Sequence, residues 1–177
     1  MATWTDPSTF KHVTGGILSV SDWNFSCDDL TFLYQAPYGM FSASVGQSIP
    51  NNSRTTVSLA IINNSNYGVS GSGGTVTLGP AGMYWITGTA TMSAASGVST
   101  SLFRASISYN GTIVGSGSST TTNYDASPAS TATVLYTAAT ANVTPIQLQA
   151  YQNTGGVVTL STSAVDNYMH VAFVGGA

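Results

Sequence analysis

From residue 40 to its end the sequence alternates with a period of two, and that pattern restricts the chain to strands more sharply than any motif it carries. In GMYWITGTATMSA, Tyr84, Ile86, Ala90 and Met92 share one face, while Met83, Trp85, Thr87, Thr89 and Thr91 share the other. Successive side chains of a strand point to opposite faces, so this reads as a half-buried strand. RTTVSLAIIN, GTVTLG, TATVLYT, TPIQLQAYQN, GVVTLSTSA and NYMHVAFVG read the same way. SLFRASISYNGTIVGS reads as a hairpin, with Phe103, Ala105, Ile107 and Tyr109 on one side and Asn110-Gly111 in the turn. That dipeptide tolerates the two positive φ angles of a type I′ turn. About eight to ten strands separated by turn residues predict an all-β sandwich or jelly roll. No fixed repeat appears, which argues against a solenoid.

The first 37 residues differ. Residues 1–20 show no period, and Pro7 and Gly15-Gly16 interrupt any regular element, so they read as an extended arm bearing Trp4, Phe10, Ile17 and Leu18. A short amphipathic α-helix follows: Ser21 caps it, Asp22 suits its first turn, and Pro37 ends the segment. Trp23, Cys27, Leu30 and Tyr34 fall on one helical face. At about 14 residues such a helix is marginal alone in water, so its stripe must pack on something. The expected organisation is a 1–37 anchor and a 40–177 jelly roll.

Charge is scarce. Only 5% of the 177 residues are charged, against about 25% in ordinary soluble domains, and glutamate is absent. The bases are Lys11, Arg54 and Arg104. Three cations cannot neutralise a phosphate backbone, nor hold an anionic membrane surface, so neither nucleic acid nor membrane is expected as a partner. No stretch resembles a signal peptide or a bilayer span, which leads us to expect a soluble protein made in a cytoplasm. A surface of Ser, Thr and Asn has little repulsion to keep copies apart.

Catalytic and metal-binding patterns are sparse. His12 and His170 are the only histidines, with no G-x-S-x-G elbow to frame a serine nucleophile. One cysteine, Cys27, cannot make an internal disulfide and with two distant histidines is poor material for zinc. Asp22, Asn24, Asp28 and Asp29 miss the calcium-loop spacing, and Asp125 and Asp166 read as turn residues rather than a glycosidase pair. Asn24, Asn51, Asn63, Asn110 and Asn142 begin N-x-S/T triplets and read as turn asparagines. The chain is therefore expected to be no enzyme and to need no cofactor.

The late strands suggest contact between copies. Ile146, Leu148 and Ala150 oppose Gln147, Gln149 and Tyr151; Met169, Val171 and Phe173 oppose Tyr168 and His170. The second set of each strand is uncharged and carries aromatics, which suits either a solvated face or a subunit interface. Trp85 leans the same way. The expected self-association residues are Trp85, Gln147, Gln149, Tyr151, Tyr168 and His170.

GPAGMYWITGTATMS, with Gly-x-Tyr opening a long strand after a Pro/Gly turn, resembles the middle of TNF-like jelly rolls, the fold of complement globular heads. VSLAIINNSNYGVSGSGGTVTLGPAG, ISYNGTIVG, PIQLQAYQN and NYMHVAFVGG resemble the neighbouring strands in order, whereas YTAATANVTPIQL lacks the Gly-Asp of the corresponding turn. The opening segment resembles small virion proteins of tailed bacteriophages at Trp4, Gly16, Leu18, Trp23-Asn24, Asp29-Leu30 and Leu33. Together the resemblances imply a homotrimer on a phage particle, arm and helix toward the virion and jelly roll outward. Trp4, Phe10, Leu18, Trp23, Leu30 and Leu33 would anchor it to a major capsid or tail protein. Decoration of the head is preferred, the chain being short for a fibre. The alternative is a glycan- or receptor-binding tip of a tail fibre, with Tyr67 and Tyr124 in the candidate loops. Ice binding is disfavoured, because the Thr-x-Thr runs lack a regular repeat.

Overall fold

A computed structural model describes residues 36–43, 45–64, 68–93, 101–121 and 127–176. The arm and helix expected before Pro37 lie outside them, as do the tyrosines at 67 and 124. The strands are β1 (Tyr38–Ser42), β2 (Ser48–Ile49), β3 (Arg54–Thr56), β4 (Ala60–Asn64), β5 (Ser70–Ser72), β6 (Thr75–Leu78) and β7 (Gly82–Thr91). They continue as β8 (Ser101–Tyr109), β9 (Thr112–Thr121), β10 (Ala129–Ala138), β11 (Val143–Gln152), β12 (Val158–Thr159) and β13 (Tyr168–Gly175). All ladders between these strands are antiparallel.

Two sheets face each other. One has the order β10-β7-β13-β1-β4, the other β5-β6-β11-β8-β9 with β3 also paired to β11. Hereafter they are the β7 sheet and the β11 sheet. From β7 onward the chain passes to the β8–β9 hairpin of the opposite sheet, returns in β10, crosses again in β11 and closes in β13. This back-and-forth winding between layers is the jelly roll that the strand pattern predicted.

The alternation of the sequence becomes the core. Tyr84, Ile86 and Ala90 of β7 and Met92 just after it join Phe103, Ala105 and Ile107 of β8 and Ile146, Leu148 and Ala150 of β11 in one core, all buried, with Met169 and Val171 completing it. Phe173, expected to face the core, lies at its margin, edge-on to Tyr84 at 5.3 Å. The hairpin turn is as expected: Asn110 and Gly111 adopt φ of 48° and 80°. Two segments depart from expectation. RTTVSLAIIN is two short strands, β3 in the β11 sheet and β4 in the β7 sheet. Val57 and Leu59, both buried, form the crossing between the layers. Of GVVTLSTSA only Val158 and Thr159 form a strand, paired to β2.

Tyr84 links packing to pH. Its ring is wholly buried and its hydroxyl donates to the Pro80 carbonyl oxygen at 2.8 Å. Burial disfavours the phenolate and pushes the phenol well above its ordinary value of 10.0. The unfolded chain therefore ionises first, so stability present below pH 10.0 is lost as pH rises beyond it. Tyr84→Phe is expected to cost about 1 kcal/mol at neutral pH, the net worth of one hydrogen bond. It should also flatten the alkaline loss, as urea melts from pH 8 upward would show. An unchanged alkaline slope would place the titration elsewhere.

Candidate interaction surfaces

Each sheet turns one face outward. On the β7 sheet, strand register places Leu135 opposite Trp85 and Trp85 opposite Ala172. The next row carries Thr133, Thr87, His170 and Met40, and the row after it Thr131, Thr89, Tyr168 and Ser42. Side chains directly opposite on an antiparallel pair share a face and touch. The Thr87 and Thr133 hydroxyls lie 3.2 Å apart and those of Thr89 and Thr131 lie 2.9 Å apart. The Trp85 indole N–H donates to Thr87 Oγ1 at 3.0 Å, and the Tyr168 and His170 rings sit 4.9 Å apart. These bonds restrain the side chains of a surface without Lys, Arg, Asp or Glu in the three rows. At its end Trp85 is 54% exposed and Leu135 56%. A Trp–Leu pair left this open on a charge-free face has the composition of an interface centre.

On the β11 sheet, Tyr151 stands opposite Arg54 of β3 on one side and Arg104 of β8 on the other. The adjoining row runs Thr56, Gln149, Ser106 and Ser116. Beyond it Gln147 faces Ser108. The Tyr151 hydroxyl donates to Asn52 Oδ1 at 3.1 Å, and Asn52 adopts a positive φ of 55° in the approach to β3. Arg54 is exposed and Arg104 half-buried.

The structure thus divides the six self-association residues expected from sequence. Trp85, Tyr168 and His170 come together on the β7 sheet, whereas Gln147, Gln149 and Tyr151 lie on the outward face of the opposite sheet. The two sets therefore do not form one continuous face. Leu135 and the Thr131–Thr133 edge belong with Trp85 and escaped the sequence reading. The signal was present, since Thr131, Thr133 and Leu135 alternate with Ala132, Val134 and Tyr136. The pairing of Arg54 with Arg104 across Tyr151 also escaped, because residues 50 positions apart meet only through strand register. Trp4, Phe10, Leu18, Trp23, Leu30 and Leu33 lie outside the described residues.

No group of three or more metal-ligating side chains occurs among the described residues. Asp166 performs the turn role expected of it: its carboxylate accepts from Ser161 Oγ at 2.7 Å and its N–H donates to the Ser163 carbonyl at 3.1 Å. Asn110 and Asn142 occupy left-handed turn positions, φ 48° and 59°, as read from sequence. No helix among the described residues is long and apolar enough to cross a membrane.

No family model matches this chain, and no curated protein matches it in sequence. Solved structures do match in shape. Murine APRIL shares 11% identity and a TM-score of 0.58, with 78% of this chain and 98% of that one covered. Eiger TNF from S. frugiperda shares 9% identity and a TM-score of 0.54, over 79% of this chain and 93% of that one. PRD1 vertex protein P5 shares 17% identity over 78% of this chain and 95% of that one, at a TM-score of 0.49. The first two establish the fold as the TNF-like jelly roll.

Proposed function

We propose that this chain is a non-enzymatic structural protein of a phage particle, a homotrimer that decorates or stabilises the virion surface through residues 1–37 and presents its jelly roll outward. The observation that carries the assembly half of this reading is the charge-free outward face of the β7 sheet with Trp85 and Leu135 open at its end. Burying that pair against a copy removes apolar surface from water and leaves no charge uncompensated. The TNF-like fold agrees with such a face being used for closed association around an axis. The virion half rests on the opening segment, whose Trp4, Leu18, Trp23 and Leu30 pattern resembles phage particle proteins. An anchor burying about 1,000 Å² of apolar surface gains about 25 kcal/mol gross, much of it offset by ordering the segment. Three such anchors on one trimer bind with avidity.

Deletion of residues 1–36 tests the division. The remainder is expected to stay folded and trimeric by sedimentation yet fail to join particles in a reconstitution or complementation assay. Incorporation at the undeleted level would remove the anchor from the proposal. A second reading, a glycan-binding fibre tip, is favoured by one observation: Arg54 and Arg104 share a row on the other outward face, with no acid of the described residues beside them.

A further inference from the structure

Among the described residues the cations of this chain are two arginines, and they flank the same tyrosine. Arg54, Tyr151 and Arg104 lie on adjacent strands β3, β11 and β8 at directly opposed positions. Adjacent strands are about 4.8 Å apart, so the two arginine backbones stand about 10 Å apart with one aromatic side chain between them. At that separation solvent screens most of their mutual repulsion, so the row holds two positive charges at little cost to the sheet. The acid that would ordinarily offset them is missing from the row. Asp166, the one acid among the described residues, is engaged by Ser161 in a turn before β13.

A second feature lies in the adjoining rows. Ser106 and Ser108 point to the same outward face as Arg104, yet their hydroxyls are buried, at 1% and 0% residue exposure, and have no hydrogen-bond partner within the protein. Buried hydroxyls are ordinarily paired, and leaving one unmade costs about 1–3 kcal/mol. Ser106 sits between Gln149 and Ser116. The cationic row therefore borders two serine hydroxyls whose hydrogen bonds the fold leaves unmade.

We infer that the outward face of the β11 sheet binds an anionic saccharide at the Arg54–Tyr151–Arg104 row. A guanidinium fork matches a carboxylate or sulfate with two parallel hydrogen bonds. The tyrosine supplies a flat amphipathic surface for the apolar side of a sugar ring, and its tether to Asn52 holds it in place. Gln149 and Ser116, which reach the surface, suit a hydroxyl-rich ligand, since each donates and accepts. Two cations are too few for a nucleic acid, whose affinity grows with the number of neutralised phosphates. The inference does not depend on the virion reading, because it uses the opposite face of the sandwich from the self-association surface.

The test is titration of the full chain with 3′-sialyllactose, neutral lactose and a sulfated heparin-derived disaccharide, followed by NMR or calorimetry. At least one of the two acidic probes is expected to bind saturably, and at least about tenfold more tightly than lactose; which one distinguishes carboxylate from sulfate as the source of charge. Arg54→Gln and Arg104→Gln are each expected to weaken that binding about tenfold, with melting temperature and particle incorporation unchanged. Equal binding of lactose, no saturable binding of either acidic probe, or full binding by both variants would overturn the inference. So would a penta-aspartate peptide that binds as tightly as the sugar, since the row would then be a peptide site.

Discussion

Replacing Trp85 by glutamate is expected to convert the assembled protein into monomers that keep the sandwich fold. Trp85 is 54% exposed and contributes no side chain to the core, so the substitution should move the melting temperature of the monomer little. In a three-fold assembly it places three carboxylates in an uncharged contact that offers no arginine or lysine in its rows. An unpaired charge forced into such a contact costs about 3–5 kcal/mol, which weakens association by about a hundredfold or more. Leu135→Glu, on the opposed position of β10, should act in the same way. Gln147→Glu is the control, because that residue faces outward from the other sheet. Sedimentation velocity with circular dichroism reads both quantities at once. A trimer that survives Trp85→Glu and breaks with Gln147→Glu would move the contact to the β11 sheet.

That pair of variants also separates what the sequence told from what it withheld. The inward sets of the long strands were legible except toward strand ends such as Phe173 and Tyr109, because burial of alternate positions is a local consequence of the pleat. Tyr84 with Ile86, Phe103 with Ile107, and Ile146 with Leu148 all lie where the period puts them. The outward sets were legible as uncharged and aromatic, but not as belonging to one face or two. Gln149 and His170 look alike in pattern, and only the order of strands in the sheets decides that they point away from each other. RTTVSLAIIN misled for a related reason: its alternation runs on through Val57 and Leu59, which bury their side chains while the chain changes layers. The arginine pair was illegible, since Arg54 and Arg104 become neighbours only through the separate registers of β3 and β8 against β11.

The two outward faces therefore carry different chemistry. The β7 face has hydroxyls already bonded to one another across strands, leaving its exposed area to Trp85 and Leu135. Such a surface gains from burial against an uncharged surface of another copy, which in a three-fold ring is a different patch of the neighbour, and gains little from a polar solute. The β11 face has buried serine hydroxyls without a hydrogen-bond partner and two arginines with no acid of the described residues in their row. It suits a polar, anionic ligand better than an uncharged contact between copies, which would take its arginines out of water without a partner.

The seam where β9 and β10 meet closes one side of the sandwich, and Gly117→Ala is expected to open it. These strands are edges of different sheets, yet they touch. A Cβ on Gly117 would stand 1.8 Å from the Thr131 carbonyl oxygen, and one on Gly115 would stand 2.9 Å from Val134 Cβ. The two glycines let the backbones approach, and the Ser119 and Ser130 hydroxyls then meet at 2.9 Å, with Ser130 Oγ also donating to the Phe103 carbonyl at 3.0 Å. A methyl group at 117 cannot be absorbed by a side-chain rotation, because what it strikes is backbone. The expected loss is on the order of 3 kcal/mol, at the upper end of overpacking effects, with Gly115→Ala smaller. Gly156→Ala, where nothing lies within 4 Å, should be close to neutral. Urea melts of the three variants give the ranking. Because an opened seam bares the unpaired edges of β9 and β10, Gly117→Ala should also form disordered aggregates in place of a defined trimer. Equal stability of the Gly117→Ala and Gly156→Ala variants would mean that the two edges do not meet.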